Sequence, residues 1–385
     1  MKEIYLDNSA TTRLCCSSVK AMTEVMEKNY GNPSSLHSMG HAAEKAVDNA
    51  RRQILNALSV RDAGATVIFC ASGTEADNLA LRGVAHAKDR YKGGRIVISD
   101  SEHPAIDETA RSLEKEGYEV VRLSTRGGVI DKDELRDAVN DRTFLVSIMA
   151  VNNETGAVYD VGELFALAKA KNPDVITHTD AVQAFMKIPV SPARLKADLI
   201  TLSAHKIHGP KGIGALYVSG GIIKRKDLSP VIFGGGQESG LRSGTENTVG
   251  IAGFGAACEE GMKTLAADHR RMQSLRDTLV ASLPDGVSAK VPAGTWAPHV
   301  VNITLPNIKS ETMLHYLSRQ GIYVSSGSAC SSHGNGDNRV LSAFGCSRKD
   351  ADCSLRISLC RESTEEDVTA LISALRDGIG QIVQI

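Results

Sequence analysis

The stretch SAHKIHGPKGIG (203–214) sets Lys206 directly after His205, beyond the apolar run ADLITL. A lysine at the end of such a run is most often a solvated turn residue, so its meaning depends on its company. Four other apolar runs also lead into polar residues of catalytic type. ATVIFCA leads to Ser72, Gly73 and Thr74; GRIVISD to Glu102 and His103; TFLVSIMAV to Asn152, Asn153 and Glu154; DVITHT to Asp180 and Gln183.

Each of these groups suits one part of a cofactor. Ser72, Gly73 and Thr74 open the helix-like stretch TEADNLALRG, and backbone N–H groups at a helix start hold an anion, phosphate above all. Asp180 supplies a carboxylate for a protonated ring nitrogen, His103 a ring that stacks on another, and Lys206 an amine that forms a Schiff base. Together they form the kit for pyridoxal 5'-phosphate, with Lys206 as the imine-forming lysine and Lys211 structural. Neither G-x-G-x-x-G nor G-x-x-x-x-G-K-[ST] occurs, so a dinucleotide or nucleoside-triphosphate fingerprint is absent.

Positioning five such sites requires a regular scaffold. From about residue 65, runs rich in Val, Ile and Thr alternate with helix-like segments such as DKDELRDAVN and VGELFALAKAKN. That alternation predicts an α/β fold with a mainly parallel sheet, in which ligands bind beyond the carboxyl ends of the strands. After GGGQESGLRSGTEN (234–247) a long helical stretch leads into HVVNITLP, ETMLHYLSRQG, IYVSSGSAC and SLRISLC, which read as a smaller α+β unit. The expected division is a large domain over 13–255 and a small one over 256–385 joined by residues 1–12.

Composition narrows the alternatives. Hydrophobic residues make up 42% and charged residues 23%, with a formal net charge of −1, so neither a nucleic acid nor a membrane surface is expected as partner. Aromatic residues are 4% of the chain, too few for base-stacking platforms. No run approaches a membrane span or a signal peptide, which points to the cytoplasm. The eight cysteines contain no C-x-x-C pair; no metal site is expected, and Cys15 and Cys16 read as packing residues.

Ten segments in order, DNSATT, YGNPSSLH, ASGTEADN, SEH, VNNETG, TDAVQ, SAHKIHGPKG, GGGQESGLRSGTEN, SSGSAC and RISL, resemble the cysteine desulfurases of the class V aminotransferase-like superfamily. The resemblance implies a pyridoxal phosphate-dependent transferase of fold type I, with a seven-stranded large-domain sheet, acting as a homodimer. It implies that Lys206 binds the cofactor, Asp180 its ring nitrogen and His103 its face, with His103 also shuttling protons. Gln183 and Asn153 would lie near the phenolic oxygen or the substrate carboxylate, Thr74, Ser203 and His205 on the phosphate, and Thr245 on the phosphate of the neighbouring subunit. Arg356 would clamp the carboxylate of L-cysteine, Asn32 would border the pocket, and Cys330 would take the sulfur as a persulfide. Sulfur-acceptor proteins follow as partners, for iron–sulfur cluster assembly or tRNA thiolation. Selenocysteine lyases, other lyases and aminotransferases use the same scaffold, and a non-enzymatic sulfur-transfer scaffold is the alternative of a different class. Ser239, Cys360 and the order Ser72–Gly73 depart from the family pattern without removing any of these groups.

Overall fold

The computed structural model describes residues 3–326 and 339–382. The chain opens with β1 (Ile4–Tyr5), α1 (Cys16–Glu27) and α2 (Ser38–Ala57). It then alternates through β2 (Thr66–Cys70), α3 (Gly73–Ala85), β3 (Arg95–Ser99), α4 (Pro104–Lys115), β4 (Glu119–Leu123), α5 (Lys132–Ala138), β5 (Thr143–Ser147), β6 (Ala157–Val158), α6 (Val161–Lys171), β7 (Ile176–Asp180), α7 (Pro192–Leu195), β8 (Leu199–Ser203), β9 (Gly214–Val218) and α8 (Gly220–Arg225). The remainder holds α9 (Thr248–Ala281), β10 (Ser288–Ala289), β11 (Thr295–Trp296), β12 (Val300–Thr304), α10 (Ser310–Arg319), β13 (Ile322–Tyr323), β14 (Ser325–Ser326), α11 (Arg339–Phe344), α12 (Arg348–Asp352), β15 (Ser354–Ser358) and α13 (Glu365–Gln381).

The five apolar runs that end in candidate residues, together with EVVRL (119–123) and GALYV (214–218), join one sheet, in the order β2-β9-β8-β7-β5-β3-β4. Only β9 runs against its neighbours, β2 and β8, because the short link from β8 to β9 permits a return but not a crossover. Alternate residues face opposite ways. Ile68, Ile96, Ile98, Leu145 and Leu216 meet α3 and α4 on one face, while Val67, Phe69, Val97, Val146 and Tyr217 meet α2, α6 and α9 on the other. Burial on both faces explains why these strands lack polar alternation. TFLVSIMAV is strand only as far as Ser147; residues beyond it stay pinned to β7, with Ala150 N–H donating to Asp180 O at 2.9 Å.

A second sheet, β10-β12-β15-β14, carries the other core, with Val301, Ile303, Leu355 and Ile357 packed on α10 and α13. β1 pairs in parallel with β13, and Leu6 is buried in this second core. Helix α9 runs unbroken through residue 255, contributing Ile251, Phe254 and Ala257 to the first core and Met272, Leu275 and Leu279 to the second. Its glycines permit close approach to α2: a Cβ on Gly255 would lie 2.7 Å from Ala50 Cα. Among the described residues, no helix is long and apolar enough to cross a membrane. Cys15 is buried, but Cys16 is exposed; adjacent residues at the start of α1 point different ways, so only Cys15 packs.

Phe254 is fully buried where α9 meets the large sheet. Phe254→Ala is expected to cost about 3–5 kcal/mol, read as a lower denaturant midpoint; a loss below about 1 kcal/mol would show that α9 is not integral to this core.

Candidate active site

Because β2, β3, β5, β7 and β8 run parallel, their carboxyl ends share one edge of the sheet, where the strand-end residues gather. Ser72 caps α3, its side chain accepting the Glu75 N–H at 3.1 Å. The helix start is pressed against the neighbouring strand ends. A Cβ on Gly73 would lie 3.1 Å from Val182 Cγ2 and 3.4 Å from Ser203 Cβ, and one on Gly214 would lie 2.4 Å from the carbonyl carbon of Ser72. Only glycine at 214 lets β9 run this close beneath the turn. His103 caps α4 by accepting the Ala105 N–H on Nδ1 at 3.2 Å, with Pro104 at the first helical position.

Lys206 leaves the short 3-10 turn Ala204–Lys206 after β8. Its Nζ donates to the carbonyl oxygens of Ser9 and Ala10, the latter at 2.8 Å, while Gln183 Nε2 donates to Ser9 O at 2.9 Å. Thr12 donates from both N–H and Oγ1 to His205 O, and the His205 ring meets Thr11 Oγ1. The motif DNSATT thus lies directly on SAHKIH. These carbonyls carry no residue-type signal; only the motif itself pointed to them.

Asp180 is buried and accepts the Val182 N–H at 2.8 Å. Burial pushes its carboxyl up to about 6, against the pull of that N–H and of Lys206. Behind it, His178 accepts or donates at both ring nitrogens, to Ser147 Oγ at 2.8 Å and Thr201 Oγ1 at 3.0 Å, consistent with a core role for that histidine. Burial also raises Glu102 to about 8. His103 is exposed, yet the surrounding protein, then Lys206 and Arg339, lowers its ring to about 4. Enclosure and the Lys206 and Lys211 charges lower His205 to about 4 as well.

Arg356 lies in the middle of β15, buried. Its Nη1 donates to Glu154 Oε1 at 2.6 Å and its Nη2 to Asp7 Oδ1 at 3.1 Å. Neither carboxylate was assigned a role from sequence. Asn153 donates to Glu154 at 3.0 Å while its Oδ1 is buried without a partner. Asn32 is exposed, its Oδ1 accepting the Ser34 N–H, and Thr245 is exposed as well; the structure brings neither into the hydrogen-bond network around Lys206. Cys330 lies outside the described residues.

Pyridoxal phosphate fits these donors. The helix start of α3, moulded against Gly214, offers N–H groups to an anion; Asp180 is a buried acceptor suited to a cationic N–H; and Asn153 Oδ1 is a buried acceptor awaiting a donor.

Two outcomes follow. Gly214→Val is expected to weaken cofactor retention at least ten-fold, read by equilibrium binding in the visible spectrum, because its side chain would push on Ser72; unchanged affinity would dissociate β9 from the cradle. In the cofactor-free protein, the raised folded-state pKa means that the Asp180 contribution to stability is present below about pH 4 and lost as pH rises to about 6, a loss of roughly 2–3 kcal/mol. Asp180→Asn should remove that slope in denaturation measured from pH 4 to 8, and parallel curves for the two proteins would refute the shift.

The class-V aminotransferase family model matches residues 4–371. Cysteine desulfurase IscS of Clostridium botulinum is 37% identical over 384 residues, covering 97% of this chain and 94% of that protein. The enzyme of the same name from Methanosarcina thermophila is 38% identical over 382 residues, covering 97% and 91%. A solved structure titled as a NifS-like protein superposes with a TM-score of 0.91 at 36% identity, covering 99% of this chain and all of that one. SspA in complex with cysteine superposes with a TM-score of 0.81 at 30% identity, covering 94% and 100%. With the strand-end site built around Lys206 and Asp180, the chain belongs to the class-V aminotransferase family and, within it, to the cysteine desulfurases.

Proposed function

We propose that the protein is a pyridoxal phosphate-dependent cysteine desulfurase that moves sulfur from L-cysteine to its own Cys330 and releases L-alanine. The observation that carries the reading is the convergence of Lys206, buried Asp180 and the capped start of α3 on one sheet edge. That site occurs in a chain whose relatives are named cysteine desulfurases. When bound, pyridoxal phosphate supplies an electron sink for the bonds at the substrate Cα.

The chain's own residues then have distinct tasks. Lys206 holds the cofactor covalently and returns to that place after turnover, Asp180 accepts its ring N–H, and Ser72, Gly73, Thr74, Ser203 and His205 receive its phosphate. Gln183 and Asn153 direct its phenolic side and the substrate. Arg356 meets the substrate carboxylate, for which its planar fork is suited; Asp7, with 20% of its side chain exposed against 6% for Glu154, is the partner that a carboxylate would replace. His103, neutral at physiological pH, takes and returns the proton at Cα. The thiolate of Cys330 forms a bond to the substrate sulfur as the Cβ–S bond breaks. That bond's electron pair stays on Cβ, which gains a proton to become the methyl group of alanine, so sulfur is the only atom passed to the protein.

Residues 13–255 would form the cofactor domain, and 256–385 with 1–12 the domain bearing Arg356 and Cys330. A homodimer accords with the exposure of Tyr30, Leu36 and Phe233, beside the segments that hold Asn32 and Thr245; those two residues would then serve the neighbouring subunit's site. The seven described cysteines are free thiols, in keeping with a reducing cytoplasm. A protein acceptor would take the persulfide onward.

Cys330→Ser should keep the visible absorbance of the bound cofactor and its spectral response to L-cysteine while losing alanine and sulfide at least a hundred-fold; persistent turnover would refute the thiol's role. Lys206→Ala should lose the bound-cofactor band, and a retained band would refute the lysine.

A further inference from the structure

The first residue of α11, Arg339, belongs to the C-terminal half in sequence but is fixed to the large unit. Its Nη1 donates to Asp100 O at 3.0 Å and its Nη2 to Glu102 O at 2.5 Å, while Nη1 lies 3.2 Å from Asp107 Oδ1. The two carbonyls belong to the turn between β3 and α4, and the next residue is His103. Asp107 is buried one turn into α4, the helix that His103 caps. One planar fork therefore grips both sides of that histidine, the turn before it and the helix after it. The far end of α11 leans on the large unit too, with Phe344 so near Gly128 that a Cβ there would lie 3.0 Å from its ring. The role given to His103 leaves this set of contacts unexplained.

We propose that Arg339 is a positioning residue of the reaction: its guanidinium holds the Asp100–Glu102 turn and the start of α4 in the one arrangement that aims His103 at the substrate. The inference rests on His103 as the proton-transfer group.

Electrostatics accompany the geometry. The charged groups that bear on the His103 ring are Lys206, from the turn after β8, and Arg339, both of which disfavour the imidazolium. Glu102, next in the chain, turns away, its Oε1 accepting from Ser99 Oγ and Met149 N–H. Asp107 is shared by Arg111, Arg122 and Arg339. Removing the Arg339 charge thus lets the ring take a proton more readily, and no carboxylate beside it reverses the sign.

The test uses cofactor-loaded Arg339→Gln and Arg339→Lys proteins, with cofactor absorbance and thermal melting to establish that each is folded and loaded. The His103 ring is titrated by NMR on histidine-labelled protein, its signal assigned with His103→Gln, and alanine formation is followed across pH. In Arg339→Gln the ring is expected to titrate at a higher pH than in the parent and kcat/KM to fall roughly ten-fold. Arg339→Lys, keeping the charge without the fork, is expected to restore the titration but only part of the rate. If His103→Gln is inactive while Arg339→Gln matches the parent in both titration and rate, Arg339 is only a brace between the two halves and the inference fails alone. If His103→Gln itself turns over normally, the proton-transfer assignment fails and this inference with it. Should Arg339→Gln not fold, Arg339→Lys decides: full parental rate would overturn the need for the fork.

Discussion

A buried arginine joins the three segments that make the site. Arg356 is buried in β15, Glu154 lies in the loop beyond β5, and Asp7 follows β1, so the two ion pairs tie the C-terminal sheet to the large unit and to the N-terminal segment. A guanidinium out of water is tolerable only with partners this close, and leaving such a charge uncompensated costs roughly 3–5 kcal/mol. Burial pushes both carboxyls upward while Arg356 pulls them back. The clamp is therefore a condition of the fold, whatever its proposed part in seating the substrate. The segment it fixes, Asp7 to Thr12, in turn supplies the carbonyls that hold Lys206 and Gln183.

The sheet imposes the second constraint. Parallel strands bring every carboxyl end to one edge, and the helices that return from them begin there, so helix N-termini and strand-end side chains share the same space. Ser72 and His103 show the economy of this: each satisfies a backbone N–H of its own helix while standing at the carboxyl-end edge of the sheet. The pKa directions are consequences of the same placement. Asp180 and Glu102 sit where the sheet excludes water and rise; His103 and His205, enclosed by protein and near Lys206, fall. A neutral imidazole beside an ammonium is the arrangement a proton carrier needs at physiological pH.

Much of this was legible because apolar runs rich in Val, Ile and Thr, alternating with helix-like segments, mark strand ends, and residue type marks chemistry at those ends. Lys206, Asp180, Ser72, Gly73, Thr74, His103 and Ser203 all lie on the edge that the alternation predicted. The strand order was not legible, since the sequence of runs does not say which strands become neighbours. Nor were the partners of Arg356. Asp7 and Arg356 are 349 positions apart, and no local pattern links them. Ser9 and Ala10 act through backbone oxygens, which any residue would supply, so only the family resemblance of DNSATT hinted at them. Cys16 failed as a packing residue because its exposure depends on how α1 docks, not on its type.

The division of labour across the seam between the two cores follows from what each group has to do. Groups that hold a cofactor must stay fixed within a fraction of an ångström, and strand ends of a sheet buried on both faces provide that rigidity. Groups that meet the substrate must admit it, hold it and release it; under the proposed function Arg356 is such a group, and though buried it has in Asp7 an ion-pair partner more exposed than Glu154. A sulfur-carrying thiol has a third requirement, since it must face both the substrate and an acceptor outside the protein. Under the proposed function that thiol is Cys330, which falls in sequence between β14 and α11: residues before it join the small sheet beside Arg356, and Arg339 after it returns to the turn that precedes His103. On that reading the chain brackets its thiol, in sequence, with one anchor beside Arg356 and another beside His103.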